Sequence, residues 1–235
     1  MIRTGDRKFY ALLQRRANVY HSPEYARSYR ESDERGKTEE SHTLKYDLIR
    51  ELSRSFLSPI NVLDLGCGTG RYFHCIQNAR CLVGVDASWN MLEQAKTPVY
   101  GGTQNINLIQ SSLHEVEFRP AVFDLVICVG VFGVVCPLDD FALQKITRFT
   151  RPGGIVLLTI PEYIPIACTW KRKAARALEP FLFGPAKRYV NVRLGEFQMS
   201  EKTLLRLMRQ YFTRIHISRW ISPTTRVDLH CVARP

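Results

Sequence analysis

The residues best placed to do chemistry lie in Val62-Leu63-Asp64-Leu65-Gly66-Cys67-Gly68-Thr69-Gly70-Arg71-Tyr72. Glycines at 66, 68 and 70 allow a tight turn with no Cβ in the way of a ligand. The run follows a short β-rich segment and opens a stretch that reads as a helix, the context a glycine run needs before it signifies binding. Twenty residues after Gly66, the next β-rich segment ends at Val85-Asp86. A carboxylate there can accept hydrogen bonds from both hydroxyls of a ribose. Strand, glycine turn, helix, strand and terminal acid describe a nucleoside-binding βαβ unit.

Those residues need a sheet to hold them. Short β-rich runs recur at Asn61–Leu65, Cys81–Asp86, Ile106–Gln110, Phe123–Val129 and Gly154–Ile160, with helices expected at 70–78, 89–96 and 139–150. Strands with little internal alternation, separated by helices, indicate a parallel sheet covered on both faces. Segments 7–20 and 41–57 read as helices before it, the second with Ser41 or Thr43 as N-cap and Leu44, Leu48, Ile49, Leu52 and Phe56 at helical spacing. After Ile160 a further helix fits 166–179, between Pro165 and Pro180, then one from about Ser200 and strands at Arg214–Ile217 and Arg226–Val232. The expected fold is α/β: a Rossmann-like, doubly wound, seven-stranded, mostly parallel sheet with N-terminal helices and a helical insertion after the fifth strand. A single domain over 1–235 divides into an N-terminal helical lid (1–57), a cofactor-binding core (58–160), a substrate-side insertion (161–199) and a final helix and strands (200–235).

The glycine spacing separates two classes of nucleoside ligand. A dinucleotide site wants G-x-G-x-x-G, whereas here the third glycine comes one residue early and Asp64 precedes the run. An acid at that point does nothing for a pyrophosphate and suits a cofactor with ammonium and sulfonium charges. At these residues the chain resembles the class I S-adenosylmethionine-dependent methyltransferases, whose first motif reads (D/E)-x-G-x-G-x-G. The resemblance runs from about Tyr46 to Ile160 and takes in Gly84-Val85-Asp86-Ala87-Ser88, Asn90-Met91-Leu92, Phe123-Asp124-Leu125-Val126 and Arg151-Pro152-Gly153-Gly154. It implies S-adenosyl-L-methionine as cofactor. Asp64, Gly66 and Gly68 would face its methionine part and Asp86 its ribose. Ala87 and Met91 would pack on the adenine, Met91 being equally suited to the core. Ser112 and Leu113 would read the adenine edge, and a carbonyl at Cys128 or Val129 would receive the ammonium. The chain departs from the pattern at 112, often an acid, and at Gly133 and Val134, where many small-molecule members carry Glu-His.

No base is therefore evident. Weak candidates are Tyr25, Tyr29, Glu162 and Tyr163. Tyr20, Tyr25 and Tyr29 could line a lid over the cofactor or simply dock the N-terminal segment. His74, His114, His216 and His230 lie in or beside regular elements and read as structural or solvent-facing. The seven cysteines are odd in number and show no CxxC pair, so neither a disulfide framework nor a metal site is expected. No signal peptide is expected, and the longest apolar run, 14 residues from Leu125, falls short of the roughly 20 of a spanning helix. A cytoplasmic protein follows as the default.

The charge narrows the partner. The chain carries +11 overall, yet residues 51–160 sum to −1 and residues 161–235 to +9. The surplus belongs to the segment expected to meet the acceptor, and it favours an acidic partner. The leading expectation is methyl transfer to an O or N atom of a small molecule, an acidic or amphipathic one suiting this charge. The alternatives are an RNA or nucleic-acid methyltransferase and a non-catalytic protein of the same fold, with peripheral membrane contact through helices 7–20 and 166–179 also open. Lys171-Arg172-Lys173 reads as a solvated helix face.

Overall fold

The computed structural model describes residues 19–35, 40–97, 105–162, 199–221 and 227–235. Seven strands form one sheet: β1 (Ile60–Leu65), β2 (Ala79–Asp86), β3 (Ile106–Gln110), β4 (Phe123–Cys128), β5 (Thr150–Pro161), β6 (Arg214–Ile221) and β7 (Val227–Arg234). Their order is β3-β2-β1-β4-β5-β7-β6. The first five run parallel, while β7 lies antiparallel to both β5 and β6. The five described α-helices are α1 (Pro23–Arg35), α2 (Glu40–Arg54), α3 (Trp89–Ala95), α4 (Asp140–Phe149) and α5 (Glu201–Met208). The expected α/β sheet is present; of the helix expected over 7–20 only residues 19 and 20 are described, both helical, and the one expected over 166–179 lies outside the described residues.

Each face of the sheet has its own core. On one, Tyr46 and Ile49 of α2, Phe73 and Cys75, and Leu92 and Ala95 of α3 pack on Val62, Leu125, Ile127, Ile155 and Leu157. On the other, Leu143, Ile146 and Phe149 of α4 and Leu204 and Met208 of α5 pack on Leu63, Val126, Val156, Leu158 and Cys231. Alternate residues of each central strand serve opposite faces, which is why these strands show little polar alternation. α2 already runs from Glu40, so Ser41 and Thr43, expected as its N-cap, lie within the helix; three other helices are started by side chains. Ser88, Asp139 and Ser200 accept the amide protons of Met91, Ala142 and Thr203. Among the described residues no helix is long and apolar enough to cross a membrane.

Two local expectations are corrected. The helix proposed over 70–78 is only a 3-10 turn at Phe73–Cys75. The chain must descend the whole length of β1, roughly 20 Å for a six-residue strand, before β2 can begin. An α-helix over 70–78 would advance only about 14 Å, so Ile76 is extended and Asn78 takes a positive φ of 60°. The second correction is an addition: α1 had no counterpart in the sequence reading. Its sequence, PEYARSYRESDER, offers a single fully buried apolar side chain, Ala26. Ser22 and Pro23 begin it, the Ser22 hydroxyl accepting the Tyr25 amide at 3.2 Å.

The short crossover leaves Phe73 fully buried over β2. A Cβ on Gly84 would sit 2.8 Å from Phe73 Cζ and 3.0 Å from both Cys67 Sγ and Leu108 Cδ2. Gly84→Ala is therefore expected to cost about 1–3 kcal/mol by overpacking. Urea unfolding checks this: the midpoint should fall with the slope unchanged.

Candidate active site

The glycine turn is fastened to the end of β2 before any ligand is considered. The amides of Gly66 and Cys67 donate to the Val85 carbonyl at 2.7 and 3.0 Å. The Gly68 amide donates to Asp86 Oδ2 at 2.9 Å and the Ser88 amide to Asp86 Oδ1 at 2.8 Å. One carboxylate thus ties the β1 turn to the β2–α3 turn. Each of its oxygens keeps a lone pair for a further donor. Gly66 and Gly68 have φ of 74° and 54°, conformations costly for other residues. A Cβ on Gly66 would fall 2.2 Å from Val131, whereas at Gly68 the nearest atom is the Met91 methyl at 3.8 Å. The open backbone is at Gly68.

Asp64 lies one strand over, opposite Gly84 of β2 and Ile127 of β4. Asp64 is 2% exposed and its Oδ2 has no hydrogen-bond partner among the described residues. Burial, and secondarily the Asp86 charge, push its carboxyl up to about 7. Asp86 is also raised by burial, against the two amides and His21, which favour its charge. A buried acid with an idle oxygen beside an open glycine backbone fits a cationic group, and Asp86 fits a ribose diol. The donor set therefore suits S-adenosylmethionine, with its ammonium and sulfonium, better than a pyrophosphate.

The remaining sequence candidates fall as follows. Ala87 is exposed at the turn, while Met91 is buried beneath Gly68. Ser112 begins the turn after β3 and spends its hydroxyl proton on Glu115 at 2.9 Å. Beside it, the buried Lys145 ammonium donates to the carbonyls of Leu113, His114 and Val116 at 3.3, 2.7 and 2.7 Å and pins that turn. Cys128 ends β4 in the core and Val129 is half-buried just beyond. Tyr20, Tyr25 and Tyr29 form an aromatic ladder with centroid spacings of 5.2 and 6.1 Å. Burial raises the phenols of Tyr20 and Tyr29, and Asp86 adds to both. They stay protonated, as hydrogen-bond donors rather than bases. Glu162 is clamped: Arg219 donates to both its oxygens at 2.6 and 2.7 Å and to Glu201 at 3.0 Å. Tyr163 lies outside the described residues.

The part of the site that the sequence reading missed is α1. Its Asp33, 2% exposed, accepts the Thr69 hydroxyl and pairs with Arg71, both from the glycine turn. One helical turn earlier, Arg30 donates to the carbonyls of Thr69 and Gln94 at 3.2 Å each and to that of Thr97. The Ser88 hydroxyl donates to the Tyr20 carbonyl and the Asn90 amide to that of His21 at 2.6 Å. The N-terminal segment is therefore seated across both turns that meet at Asp86. An Arg and an Asp three residues apart on a helix with almost no apolar stripe were the available signal.

The methyltransferase domain family matches residues 62–154 of this chain. A demethylmenaquinone methyltransferase of Leptospira interrogans is 33% identical over 121 residues, 48% of this chain and 47% of that protein. A ubiquinone biosynthesis O-methyltransferase of Rickettsia akari is 28% identical over 104 residues, 44% and 41% of the two chains. The chain thus spans less than half the length of these relatives. Among solved structures, the plantazolicin methyltransferase BpumL in complex with S-adenosylhomocysteine superposes with a TM-score of 0.61 at 13% identity, covering 97% of this chain and 98% of that one. The YcgJ protein of Bacillus subtilis gives 0.63 at 12% identity, covering 82% and 98%. At such identities the structural likeness shows the fold.

Asp64 carries a pH signature. Its folded pKa of about 7 stands above an unfolded value of about 3.9. Its contribution to stability is thus fully present below about pH 4 and lost as pH rises through 7. Asp64→Asn should flatten that part of the stability–pH profile in thermal melts. The same variant should weaken S-adenosylhomocysteine binding about tenfold or more in calorimetry, the worth of a hydrogen bond to a charged group.

Proposed function

We propose that this chain, whose residues 62–154 match the methyltransferase domain family, is an S-adenosylmethionine-dependent enzyme of class I that transfers a methyl group to an O or N atom of a small molecule. The observation that carries the reading is the pairing of Asp64, buried with an idle oxygen, and Asp86, which already bridges Gly68 and Ser88. The relatives named for quinone-pathway methylations support a small-molecule acceptor.

When bound, S-adenosylmethionine supplies a methyl group already activated by its sulfonium. What remains for the protein is alignment and the exclusion of water. Asp86 would hold the ribose diol and, through its two amides, fix where the diol stands relative to Gly68. Asp64 would take the ammonium on Oδ2, losing its proton as the cation arrives. The α1 segment, fastened through Asp33 and Arg30, covers the two turns and keeps water from them. At the places of the missing Glu-His pair stand Gly133 and Val134, and Glu162 is held by Arg219. An amine that binds neutral needs no base; a hydroxyl of low pKa needs little help.

Transfer of labelled methyl to a panel of phenols, amines and small carboxylic acids, with a structured RNA in parallel, tests this. The expected result is a labelled small molecule, with Asp86→Ala lowering the apparent cofactor affinity by about tenfold to a hundredfold. Label appearing only in RNA, with salt-sensitive binding, would replace the small-molecule reading. Failure to bind S-adenosylhomocysteine would sink the methyltransferase reading itself.

A further inference from the structure

A buried lysine stands on the far side of Asp86 from Asp64. Asp64 belongs to β1, and in the strand order β3 flanks β2 on its other side. A nucleoside whose ribose meets Asp86 and whose charged tail runs towards Asp64 therefore has its base on the β3 side, about one strand spacing of 4.8 Å away. There Gln110 pairs with Asp86, and the Ser111 amide donates to the Asp86 carbonyl at 3.0 Å. The turn that follows, residues 111–116, is gripped from α4. Lys145 is 6% exposed, and its ammonium donates to the carbonyls of His114 and Val116 at 2.7 Å each and to that of Leu113 at 3.3 Å, with Glu117 3.0 Å away. The Phe141 ring stacks on that of His114, 5.5 Å between centres and 6° apart in plane, and the same ammonium lies 5.3 Å from the Phe141 ring centre.

Lysine is almost never this buried unless paired, and an apolar side chain at 145 would suit packing alone. What the ammonium does is orient peptides. By holding the His114 and Val116 carbonyls it sets the limb whose amides, those of Glu115 and Val116, donate to the Ser112 carbonyl at 3.1 and 3.0 Å. A peptide is planar with its N–H opposite its C=O, so the Leu113 amide is turned away from that limb. It has no acceptor among the described residues. One residue earlier, the Ser112 hydroxyl gives its proton to Glu115 at 2.9 Å, which leaves its oxygen to accept. Adjacent residues thus present an acceptor and then a donor. Along its Watson–Crick edge adenine carries the complementary pair, an amino donor on C6 beside an acceptor at N1. Hypoxanthine carries the reverse, an oxygen on C6 beside an N1–H.

We propose that Lys145 and Glu115 are positioning residues for the base of the cofactor, holding the turn after β3 with Ser112 as acceptor and Leu113 as donor, so that the site takes adenine and refuses hypoxanthine. Lys145 sets the backbone and Glu115 the hydroxyl, each acting through the turn. The inference rests on the methyl-transfer reading and deepens it by naming what fixes the base specificity of the cofactor site.

S-adenosylhomocysteine and its deaminated analogue, S-inosylhomocysteine, are titrated by calorimetry into the full chain and into Lys145→Met and Glu115→Ala, with thermal melts in parallel. The parent is expected to prefer the adenosyl compound by about tenfold or more, the effect of one mismatched hydrogen bond. Lys145→Met, unbranched but without a donor, should bring the two affinities within about threefold of each other. Glu115→Ala, a change at an exposed position, frees the Ser112 hydroxyl to donate and should narrow the preference by about threefold or more. It decides the matter alone if Lys145→Met does not fold. A parent that binds both compounds alike would overturn the assignment. So would a folded variant of either kind that keeps the parent's preference, even with both compounds weakened, since a merely structural role moves the two together. Calorimetry on the parent protein separates the two readings. No binding of S-adenosylhomocysteine removes the proposed function, whereas firm binding with a preference indifferent to both substitutions removes only this inference.

Discussion

One carboxylate sets the geometry of the whole edge. Asp86 receives the amide of Gly68 on one oxygen and that of Ser88 on the other, so the turns after β1 and β2 cannot move independently. Ser88 in turn caps α3 and reaches the Tyr20 carbonyl, while Thr69, next to Gly68 of the open backbone, is held by Asp33. The glycine turn, α3 and the N-terminal segment are thus all referenced to the end of β2. Charge-assisted bonds of this kind are roughly twice as strong as neutral ones, and here each spends only part of the acceptor capacity. The remaining lone pairs point the chemistry outward.

The acids of the site are arranged at some cost. Asp64 is buried, carries an unsatisfied oxygen and feels Asp86 as a like charge. A packed apolar residue there would suit the empty fold better. Under the proposed reading a bound cation offsets that cost, which moves the burden from folding to binding. Groups perturbed by burial and a like charge in this way cluster at functional sites.

The sequence made some of this legible because some of it is local. Asp64, the glycine run and Asp86 fall within one βαβ unit, where spacing alone brings them together. The seven strands were visible from their composition, though not their order. α1 was invisible because what fixes it, Thr69, Arg71, Gln94 and Thr97, lies far along the chain and is polar, while apolar periodicity is what betrays a helix. The expected helix over 70–78 failed on length, since the descent to β2 needs more rise per residue than a helix supplies. The place of β7 was hidden because it depends on the reversal of that strand, which only pairing reveals.

That reversal has a consequence for synthesis. β7 comes after β6 in the chain yet is inserted between β5 and β6, so the parallel half of the sheet keeps an open edge along β5 until residues 227–234 have been made. Five strands can form as the chain emerges, but β6 has nothing to pair with in this order and the β5 edge exposes Ile155 to Ile160 to any other strand nearby. Completion of the sheet is therefore a late event, and the interval before it is when a nascent chain of this topology is most open to pairing with its neighbours on the same message.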